Sequence, residues 1–249
     1  MKVKILDPAC GSGSFLIKAF DVLVEESENS LKTKLTYEQK RDLMLNCIFG
    51  VDKDERAVDI CKLNLSLKLA QGGEKLPELH NNIKCGDSLI DNKDISAKAF
   101  NWEGEFKEIM QSGGFNVIIG NPPYGAEFNQ LESENLIKEY INNQGELESF
   151  KLFFEKGITL LKNKGVLGFI VPNTWMYISR SRKIREHLLK NSKLVEIIDL
   201  AKYVFEDAPD LVPMILILSK ENNQDDIKQN VCHVKAIPLK GRKNDFINN

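Results

Sequence analysis

The chain has 249 residues, 42% of them hydrophobic and 28% charged, with 34 Lys and Arg against 36 Asp and Glu. This is enough for one sizeable core, and it excludes a collagen, a disordered tail or a disulfide scaffold. A formal net charge of −2 leaves no chain-wide basic field, so any contact with a polyanion must rest on local clusters or on a partner segment.

Val3 to Leu6 reads as a short strand, broken by Pro8 and the glycines Gly11 and Gly13. Phe15, Leu16, Ala19, Phe20 and Leu23 mark the buried face of the helix that follows. A polar surface excursion over 25–35 precedes a second helical pattern from Tyr37 to Leu45. Cys47 to Val51 is the next strand, ending at Asp52, and Val58, Cys61, Leu65 and Leu69 then share one helical stripe stopped by Gly72-Gly73. Asn82 to Asp87 reads as a third strand, and 91–114 as irregular chain. Phe115 to Gly120 is apolar at nearly every position, which suits the buried middle of a parallel sheet. A polar loop over 125–146 leads to a helix carrying Phe150, Phe154, Ile158 and Leu161. Strands over 166–171, 194–200 and 211–218 follow, with a helix over 181–189 between the first two. Pro213 stands at the start of the last strand, where a missing N–H is tolerable. The alternation predicts an α/β, doubly wound, mostly parallel seven-stranded sheet with an antiparallel edge strand, ligands sitting outside the carboxyl ends of the strands.

No stretch approaches the roughly 18 apolar residues of a spanning helix, and the N-terminus lacks a signal-peptide pattern, so no membrane partner is expected. The five cysteines form no C-x-x-C pair and read as reduced thiols of a cytoplasmic protein. The three histidines share no ligand spacing, so no metal site is expected.

Chemistry concentrates at the strand ends. In Asp7-Pro8-Ala9-Cys10-Gly11-Ser12-Gly13-Ser14-Phe15 the two glycines permit a tight turn and close approach of a ligand, and the following helix N-terminus favours a carboxylate or phosphate. Leu16 breaks the pattern G-x-G-x-x-G, which disfavours a pyrophosphate-bearing cofactor. Asp52 is placed either to accept both hydroxyls of a ribose or simply to cap the next helix. Asp87 is placed either to accept from an adenine amino group or to close a turn. Taken together, these positions describe an adenosine-shaped site with little phosphate recognition. Asn121-Pro122-Pro123-Tyr124 is the most specific element: paired prolines stiffen it, the Asn121 amide oxygen and a proline carbonyl can both accept from one amino group, and the Tyr124 ring can stack on a planar base.

These two segments, in this order, resemble the cofactor and catalytic motifs of S-adenosylmethionine-dependent DNA adenine N(6)-methyltransferases. The resemblance runs from Lys4 to Lys220, takes in Phe169-Ile170-Val171-Pro172-Asn173-Thr174-Trp175 and Tyr203-Val204-Phe205-Glu206, and is nearest to the modification domain of Eco57I-type restriction–modification enzymes. It implies S-adenosylmethionine held by Asp7, Ala9, Gly11, Gly13, Phe15, Asp52, Asp87 and Asn121. It implies catalysis by Asn121, Pro122 and Tyr124, with Tyr124 and Phe205 holding a flipped adenine of DNA. It further implies a methyltransferase catalytic domain over 1–220 and, over 221–249, a polar extension or the start of a linker to a target-recognition domain. For this chain alone, DNA binding is expected to be weak and non-specific, as for the catalytic part of a longer enzyme. Two other readings stay open: a methyltransferase acting on RNA or a protein glutamine, and an inactive binding module.

Overall fold

A computed structural model describes residues 3–70, 76–200 and 211–236. Strand β1 (Ile5–Asp7) is followed by α1 (Ser14–Leu31), which begins at Gly13 with φ +91°; a Cβ there would stand 2.6 Å from the Cys61 sulfur. The helix continues through the stretch expected as a surface excursion. Nothing from 14 to 31 is Gly or Pro, and once Leu16 and Phe20 dock its first turns, polar residues are tolerated on its solvent side. Helix α2 (Tyr37–Cys47) starts at a reciprocal Thr36–Gln39 capping box and leads into β2 (Ile48–Asp52). Asp54 caps α3 (Glu55–Leu69), whose Val58, Cys61, Leu65 and Leu69 are all buried, as their spacing predicts.

After β3 (Ile83–Cys85) come two short helices, α4 (Trp102–Glu105) and α5 (Lys107–Gln111), in the stretch expected to be irregular. They are too short to show a period, yet they bury Trp102, Phe106 and Ile109. The Trp102 and Phe106 rings meet Phe115 of β4 (Phe115–Gly120) edge to face at 6.3 and 5.7 Å. The predicted long loop contains α6 (Gln130–Glu139), opened by an Asn129–Glu132 capping box. Then follow α7 (Ser149–Leu160), β5 (Leu161–Pro172), single 3-10 turns at Asn173–Met176 and Ser179–Ser181, α8 (Arg182–Asn191), β6 (Ser192–Asp199) and β7 (Pro213–Lys220). Helix α9 (Gln224–Lys228) and β8 (His233–Ala236) end the described chain.

All described strands belong to one sheet of order β3-β2-β1-β4-β5-β7-β6-β8. Every pairing is parallel except those of β7, which is antiparallel to both neighbours. The mostly parallel α/β sheet is therefore as expected, but it has eight strands rather than seven, and the antiparallel strand is set inside β6 and β8. Strand β8 pairs with β6 from Glu196↔His233 to Asp199↔Ala236. Its side chains are all exposed, so its pairing is carried by the backbone and leaves no hydrophobic pattern to read.

Alternation along the strands divides the core. Ile5, Ile48 and Ile83 face α1, α2 and α3 on one side. Leu6, Phe49, Val51 and Ile118 face the other side, under α4, α5 and α7. The carboxyl ends of β1 to β4 thus come to one rim carrying Asp7, Asp52, the turn after Cys85, and Gly120.

Candidate active site

At this rim a cleft of about 280 Å³ is lined by Ala9, Asp52, Lys53, Asp87, Asn121 and Ser149, among others. Four of the residues singled out in the sequence, from four different strand ends, therefore share one cavity. Asp7 lies behind it, 1% exposed, with one carboxylate oxygen accepting the Ala9 N–H at 3.0 Å. Burial, only partly offset by that hydrogen bond and reinforced by the negative charge of Asp52, raises its pKa to about 7. Gly120 is required here, because a Cβ would come within 2.7 Å of Asp7 Oδ1.

The Asp52 carboxylate accepts the Gly11 N–H at 2.8 Å and the Asp54 N–H at 2.9 Å. Asp52 thus braces the Gly11 turn and the start of α3, although the N-cap itself is Asp54, and each of its carboxylate oxygens can accept a further hydrogen bond. Asp87 is 4% exposed; one oxygen accepts the Leu89 N–H at 3.1 Å, and the other lies 2.8 Å from the Lys53 ammonium. Lys53 also reaches Glu132 Oε1 at 3.3 Å. Burial works against the Lys53 charge, but the two carboxylates outweigh it and raise the pKa. Gly13 sits at the start of α1, and Phe15 lies apart from the cleft, in an apolar groove with Ile5, Val22 and Val117.

The segment after β4 is held from three sides. Pro122 and Pro123 bring no N–H, so only carbonyls can anchor them. Ser149, fully buried at the start of α7, donates its hydroxyl to the Pro123 carbonyl at 2.5 Å and accepts the Ala126 N–H at 3.3 Å. The Tyr124 hydroxyl lies against Asn121 Oδ1 and 3.1 Å from the Ile170 carbonyl, and its ring stands edge-on to Phe150 at 6.4 Å. Burial raises the Tyr124 pKa to about 12, so this hydroxyl stays a donor. The ring is half-buried. Elsewhere on the rim Ser88 donates to the Pro8 carbonyl at 2.6 Å and so joins the β1 and β3 turns.

Lys53, Ser88, Glu132 and Ser149 escaped the sequence reading. Only Glu132 left a signal, since Asn129 and Glu132 stand at capping-box spacing. Phe205 lies outside the described residues. The cleft offers the carboxylates of Asp52 and Asp87 as acceptors, with the Lys53 ammonium held between Asp87 and Glu132, and the neighbouring Gly11 turn is open, since a Cβ there would meet nothing within 4 Å. These acceptors suit a ligand that presents hydroxyl and amino donors, as a nucleoside does.

The family model described as Eco57I restriction-modification methylase matches residues 46–205, and an RMKL-like methyltransferase domain matches residues 2–77. The chain is 31% identical over 255 aligned positions to the type II restriction enzyme and methyltransferase RM.Eco57I of Escherichia coli, covering 88% of this chain and 25% of that protein. It is 26% identical over 226 positions to the type II methyltransferase M.BstVI of Geobacillus stearothermophilus, covering 88% and 37%. The chain thus spans about a quarter to a third of the length of these relatives. Similar folds occur in a nuclease-deletion mutant of the type ISP restriction–modification enzyme LlaGI in complex with a DNA substrate mimic (TM-score 0.74, 18% identity, 98% of this chain and 22% of that one). The type I restriction enzyme EcoKI M protein is also similar (TM-score 0.66, 20% identity, 97% and 46%).

Proposed function

The chain belongs to the Eco57I family of restriction–modification methylases, and from that membership we propose that it methylates the 6-amino group of an adenine flipped out of DNA, using S-adenosylmethionine. When bound, that cofactor supplies an electrophilic methyl group on a sulfonium. Asp52 accepts the ribose hydroxyls and Asp87 the amino group of the cofactor's adenine, while the Ala9 and Gly11 turn lets the cofactor lie against the backbone. Asp7 supports this turn from behind.

A base within a duplex cannot present its amino group to an enclosed pocket, so it must be extruded. Asn121 Oδ1 and the Pro122 carbonyl would accept hydrogen bonds from its two amino N–H groups and hold the nitrogen in line with the methyl group, one N–H proton leaving to solvent as the methyl–sulfur bond gives way to the methyl–nitrogen bond. The Tyr124 hydroxyl now on Asn121 gives way to the incoming amino group, freeing the ring to lie on the base. From the family resemblance, Phe205 is assigned a part in holding the base. Positioning and aligned dipoles carry the rate, with no covalent nucleophile. Residues 1–220 form the methyltransferase domain in this reading, and a target-recognition domain of the parent protein supplies sequence specificity.

The observation that supports this most is the meeting of Asp52, Asp87 and Asn121 on one cleft. The experiment is transfer of labelled methyl from S-adenosylmethionine to DNA, RNA and protein, with the modified base identified by mass spectrometry. Asn121→Ala is expected to lose about 1–3 kcal/mol of transition-state stabilisation, roughly tenfold to a hundredfold in turnover. Unchanged turnover, or label found only in RNA or protein, would sink the reading.

A further inference from the structure

We propose that the segment joining β5 to α8, from Met176 to Lys183, is a duplex-DNA contact surface beside the cleft, with Tyr177 against the bases or sugars and Arg180, Arg182 and Lys183 on phosphates. The proposal rests on the reading of a base flipped from DNA. From Met176 to Lys183 the chain carries three cations, Arg180, Arg182 and Lys183, and no carboxylate. A local charge of +3 over eight residues, on a chain of net charge −2, is a concentrated positive field.

The segment is fixed from beneath. Trp175 is 4% exposed, Ser181 is fully buried, and the Arg185 guanidinium donates to the Trp175 and Ile178 carbonyls at 2.5 and 2.9 Å. On this platform Met176 and Tyr177 are 39% and 68% exposed. An exposed aromatic ring beside cations can pack on the sugar edge of a duplex groove while the cations neutralise the phosphates. Arg180 and Arg182 do have partners, Glu146 at 3.4 Å and Glu186 at 2.8 Å, but side-chain exposures of 84% and 44% leave these carboxylates in solvent. Such pairs are weak and yield to phosphate.

Position links the surface to the cleft. Strands β4 and β5 run parallel with Gly120 opposite Phe169, so both loops leave the same rim. A file of rings, Tyr124–Phe150–Phe154–Trp175 at 6.4, 6.1 and 5.2 Å, connects the two loops through α7.

The test is fluorescence anisotropy of the whole chain on a labelled DNA duplex over a series of salt concentrations, for wild type, Tyr177→Ala and the double variant Arg180→Ala/Lys183→Ala. Tyr177→Ala is expected to weaken binding about tenfold, and the double variant to flatten the salt slope by about two. Both should keep the wild-type melting temperature and S-adenosylhomocysteine affinity. Wild-type affinity and slope in both variants would overturn the surface, and so would a chain that binds cofactor but no duplex at low salt. Tighter wild-type binding to RNA, with losses confined to RNA, would overturn it as well. Methyl transfer by wild type and Asn121→Ala is read separately, so failure of the surface is distinguishable from failure of the adenine reading.

Discussion

Ser149 does at one atom what the Asn121–Tyr124 segment cannot do for itself: its hydroxyl donates to the carbonyl of a proline pair that has no N–H and accepts the Ala126 N–H. Ser149→Ala is expected to destabilise the fold by only about 1 kcal/mol. It should lower turnover about tenfold while leaving cofactor affinity unchanged, a split that steady-state kinetics and calorimetry would reveal. Gly120→Ala drives a methyl toward Asp7 and should cost about 1–3 kcal/mol, measured by denaturant unfolding. Asp7 itself makes stability depend on pH. Its pKa is about 7 when folded against the ordinary 3.8 of a solvated aspartate, so as pH rises the unfolded chain releases the proton first. Stability from this group is greatest below about pH 4 and declines until about pH 7, by about 4 kcal/mol, and then levels off. Asp7→Asn should remove that component from a pH series of unfolding curves.

At the scale of elements, Glu132 ties the start of α6 to the Lys53 side of the cleft. Glu132 Oε2 accepts the Asn129 N–H at 3.0 Å, completing the cap, and Oε1 holds Lys53. Glu132→Gln keeps the cap and weakens the link to Lys53, whereas Glu132→Ala loses both. Hydrogen exchange at the first turn of α6 should rise in the alanine variant, by an opening free energy lower by about 0.5–2 kcal/mol, and change little in the glutamine variant. Most elements were legible because their signals are local. The stripe of Val58, Cys61, Leu65 and Leu69 is a helix period, and Phe115 to Gly120 is a buried strand. Helices α4 and α5 were not legible, since nine residues in two pieces show no period. Strand β8 was not legible because a solvated edge needs no apolar alternation.

For the whole molecule, a net charge of −2 means that the DNA binding proposed for this chain would rest on local clusters. Its affinity for an arbitrary duplex is expected to be weak and to fall steeply as salt rises from about 50 to about 200 mM, as anisotropy would show. No described helix is long and apolar enough to cross a membrane. The sequence by itself determined the alternating α/β order, the acid or glycine at each strand end, and the stiff segment after β4, because periodicity and turn chemistry act over a few residues. Only the tertiary structure decided which of these meet. Ser88 reaches Pro8 across 80 residues, Lys53 reaches Glu132 across 79, and Asp52 reaches Gly11 across 41. Contacts of that span are set by how the parallel strands pair side by side, and strand pairing order is a property of the folded sheet that local pattern does not encode.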